Sequence, residues 1–405
     1  MKSRIATCVA VITLAAWFGC SGEPGADNSY DPNNDSVRPA VLSVSPDGGA
    51  VAVSVNEKIT ASMSEDIDTL SITSDNVVLL DGSRNIVAGV ISYSGRKITI
   101  TPVEKMNHCQ EYTVVLTDRI RDIAGNTLGA DYVSTFTTEI SFEPQMVRVE
   151  GTAAGDPFQM GSSAIAGLSI PVHAVEIGPF YIGKTEVTFD EFDEFCVATG
   201  REKPLSNFGR GFMPVINVTW FDAVDYCNWL SDAQGLTPCY YREGPEVKWV
   251  DDDGGLNCTG YRLPTEAEWE FAARERGVTD PAGFSGYWLG MTELNDYAWH
   301  SLNSDGVTHE VANRNPNQLG VYDMSGNVAE WCWDWFADEY YQNCYDLGTV
   351  DNPHGAPANT NHRKIIRGGS WESVAADNGV ATGARNYRYT TNAGSTVGFR
   401  VSRNE

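Results

Sequence analysis

Residues 365–400 read IIRGGSWESVAADNGVATGARNYRYTTNAGSTVGFR. Two rigid brackets, Arg367-Gly368-Gly369-Ser370-Trp371 and Gly398-Phe399-Arg400, enclose a run of small and polar residues. A run so poor in apolar side chains cannot build a core. Brackets rich in Gly, Arg and aromatics do not describe a disordered segment. A fixed scaffold that presents an adaptable surface is where binding or catalysis is found, and the rest of the chain decides between the two.

The chain has 405 residues, enough for two domains or more, and its 42% hydrophobic and 20% charged content is that of a globular protein. A formal net charge of −26 argues against nucleic acid, because phosphate binding needs a basic face. The same acidity keeps an exported protein soluble and offers carboxylates to calcium.

The N-terminus reads as a targeting signal. Lys2 and Arg4 precede an apolar stretch, residues 5–18, that is too short to span a bilayer. It ends at Gly19-Cys20-Ser21-Gly22 and resembles a bacterial lipoprotein signal, with Cys20 as the lipidated residue. Residues 1–19 are therefore expected to be a signal peptide and residues 20–37 a flexible tether. The expected location is the bacterial cell envelope, with an outer-membrane lipid anchor. Export permits disulfides, and the expected pair is Cys239 with Cys258, which flank a hairpin-like segment.

Residues 38–139 read as all-β. Alternating runs such as Lys58-Ile59-Thr60-Ala61-Ser62-Met63 and Lys97-Ile98-Thr99-Ile100-Thr101 lie between turn signals such as Asp47-Gly48-Gly49. Such spacing suggests a sandwich. With Val44-Ser45-Pro46-Asp47-Gly48 and Ile120-Arg121-Asp122-Ile123-Ala124-Gly125-Asn126, the segment resembles a bacterial Ig-like domain of the SbsA type, which implies a stalk. Beyond residue 140 the composition changes. Apart from Trp17, every tryptophan lies between Trp220 and Trp371. Residues 140–405 form the second domain. Helices are expected after Thr188, Thr219 and Thr265, each followed at the third position by an acid, Glu191, Asp222 or Glu268, in capping-box spacing.

Six motifs occur in order in this domain: Phe158-Gln159-Met160-Gly161-Ser162, residues 180–188 (FYIGKTEVT), residues 260–270 (GYRLPTEAEWE), residues 320–331 (GVYDMSGNVAEW), and the two brackets. Together they resemble the formylglycine-generating enzyme, or sulfatase-modifying-factor, family over roughly residues 142 to 403. The resemblance implies a loop-rich α+β domain similar to C-type lectins, with bound calcium. The fold class is thus multidomain, an all-β Ig-like sandwich followed by that domain. The matching calcium positions are Asp323 and Glu330 through their side chains and Gly326 and Val328 through their carbonyls, a mix of oxygens that suits calcium. Glu266 and Glu270, four apart on one helix, are expected to anchor neighbouring loops or Arg rather than to act as an acid–base pair.

Members of that family oxidise a sulfatase cysteine with copper(I) held by two cysteines soon after the Gly-Gly-Ser-aromatic motif. Here those places are Glu372 or Ser373, and Asp377 or Asn378, and no cysteine follows Cys344. Copper(I) prefers sulfur, so a copper site is not expected. Without it the tail still offers a surface rich in Tyr, Asn and Ser, the composition of adaptable binding faces. The candidate ligand-binding residues are Ser373, Asp377, Asn378, Thr382, Asn386, Tyr387, Arg388 and Tyr389, whereas Arg385 is expected to pack structurally. The reading is a surface-anchored lipoprotein whose domain binds a protein or glycan, with no catalytic residue assigned. The alternatives are a formylglycine-generating oxidase, a retroelement-diversified receptor and a purely structural envelope protein.

Overall fold

The computed structural model describes residues 35–165, 167–243, 246–250, 258–280, 282–285, 294–357, 361–375 and 378–405. The lipidation candidate Cys20 and the candidate Asp377 lie outside the described residues. The chain divides into two compact units, Met1–Ser141 and Phe142–Glu405.

The first unit contains β1 (Val41–Ser45), β2 (Ala50–Val53), β3 (Ile59–Met63), β4 (Val77–Leu80), β5 (Gly89–Ser94), β6 (Lys97–Pro102), β7 (Glu111–Leu116) and β8 (Tyr132–Thr138). They form two four-stranded sheets, ordered β1-β3-β6-β5 and β2-β8-β7-β4. The period of two does the sorting. Ile59, Ala61 and Met63 of β3, and Tyr112, Val114 and Leu116 of β7, point into one shared core, while the residues between them face outward.

The second unit opens with β9 (Met146–Val149), β10 (Phe158–Met160), β11 (His173–Glu176) and β12 (Phe180–Gly183), followed by α1 (Phe189–Thr199) and α2 (Trp220–Ala233). The hairpin of β13 (Tyr240–Glu243) and β14 (Glu246–Trp249) precedes β15 (Tyr261–Arg262) and α3 (Glu266–Ala273). Then come β16 (Ala329–Trp335), α4 (Tyr340–Leu347), β17 (Thr349–Asp351), β18 (Arg363–Arg367), β19 (Arg385–Tyr389), β20 (Val397–Gly398) and β21 (Ser402–Asn404). The final strand pairs with both β12 and β15, which ties the C-terminus into the sheet β15-β21-β12-β9. A second four-stranded sheet, β19-β18-β16-β20, carries the tail.

Local chemistry fixes the three expected helices. Thr188, Thr219 and Thr265 each accept a hydrogen bond from the backbone N–H three residues on, and Glu191, Asp222 and Glu268 reach back to the cap N–H. The helix α4 was not expected; its N-cap has no side-chain hydrogen bond. The Cys239–Cys258 disulfide is formed, with the hairpin β13–β14 on the segment it encloses.

The short strands β18 and β19 are pinned to their neighbours by buried ion pairs and aromatics. Arg367, fully buried, donates to Glu266 at 2.9 Å and to Glu270 at 2.7 Å, and Arg385 donates to Glu266 at 2.7 Å. The two acids of α3 therefore anchor Arg, as expected, and Glu270 also accepts from the Gly161 N–H at 2.9 Å. Lys364 is enclosed by the rings of Trp220, Trp333 and Trp335, with its ammonium 3.9–4.3 Å from their centroids.

Candidate functional site

The two tail brackets are joined to neighbouring groups of one core, since Arg367 is the strand partner of Glu330 across β18 and β16 and lies over the Trp269 ring. Arg367 grips α3. Arg400 donates to both oxygens of Glu330 on β16, at 2.5 and 2.6 Å, and to the carbonyls of Gly183 and Tyr322. The indole N–H of Trp269 completes Glu330 at 2.8 Å. All three side chains are buried, so these bonds act in a low-dielectric interior.

Between the brackets lies a cleft of about 610 Å³. One wall is the turn from Gly369 to Ser373, together with Asn378 and Gly379. Its shape depends on Gly369, at φ +70°, whose added Cβ would stand 2.0 Å from the Gly379 carbonyl oxygen. Ser373 caps this turn, its hydroxyl accepting from the Ser370 N–H at 2.9 Å. A second wall is β19, and a third is the segment carrying Ile165, Leu168 and Ser169, which nothing in the sequence had marked as part of a site.

Of the expected ligand-binding residues, Ser373, Asn378, Asn386, Tyr387 and Arg388 line this cleft. Thr382 does not, and that expectation is corrected. It is fully buried; its N–H is bonded to Gly283, its carbonyl accepts from Arg367 at 2.7 Å, and its hydroxyl faces the Asp280 carbonyl. Tyr389 is half-exposed but outside the cleft lining. Tyr387 is only partly available, because its ring lies against Phe336 and under Arg363. Arg385 packs structurally, as expected, with its guanidinium over Tyr341.

The ion-loop residues separate into two environments. Asp323, at φ +57°, accepts from the Ala312 N–H through Oδ2, while its buried Oδ1 has no partner. Facing it within hydrogen-bonding reach is Glu186, whose Oε1 accepts from Asn327 and whose buried Oε2 also lacks a partner. Burial pushes the Asp323 carboxyl up to about 6, and burial followed by the Asp323 charge pushes Glu186 well above the usual carboxylate range. Gly326, at φ +82°, and the buried Val328 follow in the same loop. Glu330 does not share Asp323's position directly, because Arg400 and Trp269 already occupy both its oxygens. The neighbour of Asp323 that sequence reasoning missed is Glu186. Nothing in its stretch, Lys184-Thr185-Glu186-Val187-Thr188, marks it out.

Two carboxyls with unpartnered oxygens in a buried loop can hold a hard cation or share a proton. The cleft, by contrast, offers hydroxyl, amide and guanidinium groups suited to polar recognition. The thiols near the scaffold, Cys332 and Cys344, are buried, and burial raises both above the ordinary thiol value.

Residues 134–405 match the family model described as a sulfatase-modifying factor enzyme 1-like domain, and residues 35–138 match a bacterial Ig-like domain. A chaperone protein LppX from Paenibacillus barcinonensis is 35% identical over 224 residues, covering 49% of this chain and 71% of that protein. A formylglycine-generating enzyme from Streptomyces coelicolor is 29% identical over 291 residues, 64% of this chain and 90% of that one. Among solved structures, Treponema denticola variable protein 1 superposes with a TM-score of 0.53 at 31% identity, over 65% of this chain and 96% of that chain.

Proposed function

The chain belongs to the sulfatase-modifying factor family and carries a bacterial Ig-like domain ahead of that fold; on that footing we propose that its C-terminal cleft binds a ligand, a protein or a glycan, and does not oxidise a cysteine. The observation that carries this reading is the set of side chains lining the cleft after Gly-Gly-Ser-Trp. Glu372, Ser373 and Asn378 offer carboxylate, hydroxyl and amide groups where copper(I) chemistry asks for thiolates. The residues present do not fit that metal. The test is aerobic incubation of the full chain with copper(I) and a cysteine-bearing sulfatase peptide. The reading predicts no aldehyde; formylglycine in the peptide overturns it and restores the oxidase alternative.

Calcium is proposed as a structural ion in the Asp323 loop. The support is the pair of orphaned, buried oxygens on Asp323 and Glu186, a donor set that suits a hard cation. In this proposal the carbonyls of Gly326 and Val328 complete the surroundings, whereas Glu330, expected as a ligand, is taken up by Arg400 and Trp269.

Lipidation at Cys20 with display on the cell envelope, and a stalk role for the Ig-like domain, are part of the same proposal. The relative with the highest identity reported above is called a chaperone protein, which favours a protein over a glycan as partner. The likeness to a variable protein favours a second reading, a diversified receptor. A near-copy of the tail in neighbouring DNA, mismatched at adenines, is its test.

A further inference from the structure

β19 is the outermost strand of its sheet, with β18 on one side and, among the described residues, no strand on the other. Arg385, Asn386, Tyr387 and Arg388 line the cleft consecutively. Adjacent residues of a strand face opposite sides, so a cleft that touches all four runs along the strand's open edge. At its middle the Tyr387 N–H is taken by the Asn386 side chain at 2.8 Å. A neighbouring side chain thus covers a backbone donor that an added strand can use instead.

Arg388 stands on the same edge. Arg367, Arg385 and Arg400 are each committed to buried carboxylates, but Arg388 has no carboxylate within ion-pair distance among the described residues. Its Nη1 is shielded from solvent and has no hydrogen-bond partner. One edge of the guanidinium lies beside Gly394, where an added Cβ would stand 2.7 Å from Nη1. A guanidinium with spare donors matches a carboxylate.

We infer that the cleft takes an extended peptide carrying an acidic side chain, laid along β19 with its carboxylate on Arg388. This inference rests on the binding reading above and names the ligand chemistry of that site. Long-range repulsion from a chain of net charge −26 is screened at physiological salt, whereas a half-buried contact at Arg388 is screened less.

The experiment presents a random heptapeptide library and an array of acidic oligosaccharides, in parallel, to the full chain. The expected result is a set of enriched peptides with Asp or Glu at one fixed position. Changing that acid to its amide in the peptide weakens binding about tenfold or more, Arg388→Gln removes the preference, and Arg388→Glu turns it toward Lys or Arg. Amide replacement in the peptide leaves the protein untouched, so a misfolded variant does not cloud the result. Enriched peptides without an acidic position, or an acidic preference that survives Arg388→Gln in a folded variant, overturn the inference. So does binding confined to the oligosaccharides. If neither array yields a saturable ligand, the binding reading falls with it.

Discussion

Arg400 closes on Glu330 with two bonds, Nε to Oε2 at 2.5 Å and Nη2 to Oε1 at 2.6 Å, and neither side chain is exposed to solvent. One residue ends the tail and the other stands on the central strand β16. Replacing Arg400 with Met strands a buried carboxylate, and the expected loss is about 3–5 kcal/mol in chemical denaturation. Arg400→Met combined with Glu330→Leu recovers much of it. Equal losses in the single and double variants would show that the pair does not act as a unit.

Gly369 gives the cleft its turn. Gly369→Ala drives a Cβ toward the Gly379 carbonyl oxygen, which lies 2.0 Å away. We expect roughly 1–3 kcal/mol of lost stability and a larger proportional loss of peptide binding. Titration of the folded variant with any peptide selected on the wild type checks this. Unchanged affinity would dissociate the turn from the site.

Burial, followed by the Glu266 charge, raises the Asp334 carboxyl to about 8. In the unfolded chain it ionises near 4. Its contribution to stability is therefore complete below about pH 4 and is lost as pH rises toward 8. Asp334→Asn keeps an acceptor for the Glu266 N–H but cannot ionise. The variant should gain on the wild type between pH 5 and 9 by on the order of a few kcal/mol. A constant difference across that range would contradict the assignment.

Calcium supplied to chelator-treated protein should raise its melting temperature by roughly 5–10 °C once the ion stands about 100-fold above its Kd. Asp323→Asn and Glu186→Gln should each shrink that rise. A full rise in both variants would place the ion elsewhere.

What was readable in the sequence was short-range or carried by whole motifs. The capping boxes at Thr188, Thr219 and Thr265 are settled within four residues, and the alternation in β3 and β7 declares its own core face. Structural roles for Glu266 and Glu270 were legible, but not their partner Arg367, which is 101 and 97 residues away along the chain. Thr382 misled because its polar side chain suggests a surface, while the structure uses its backbone carbonyl inside the core. The Glu186–Asp323 pairing and the wall at Ile165 depend on how distant loops pack, and local pattern carries no trace of that.

Incubation of the full chain with copper(I), oxygen and a cysteine-bearing sulfatase peptide, read by mass spectrometry of the peptide, tests the central claim most directly. With Ser373 and Asn378 in the cleft, the account predicts that the peptide keeps its thiol. Conversion of that cysteine to formylglycine would contradict it.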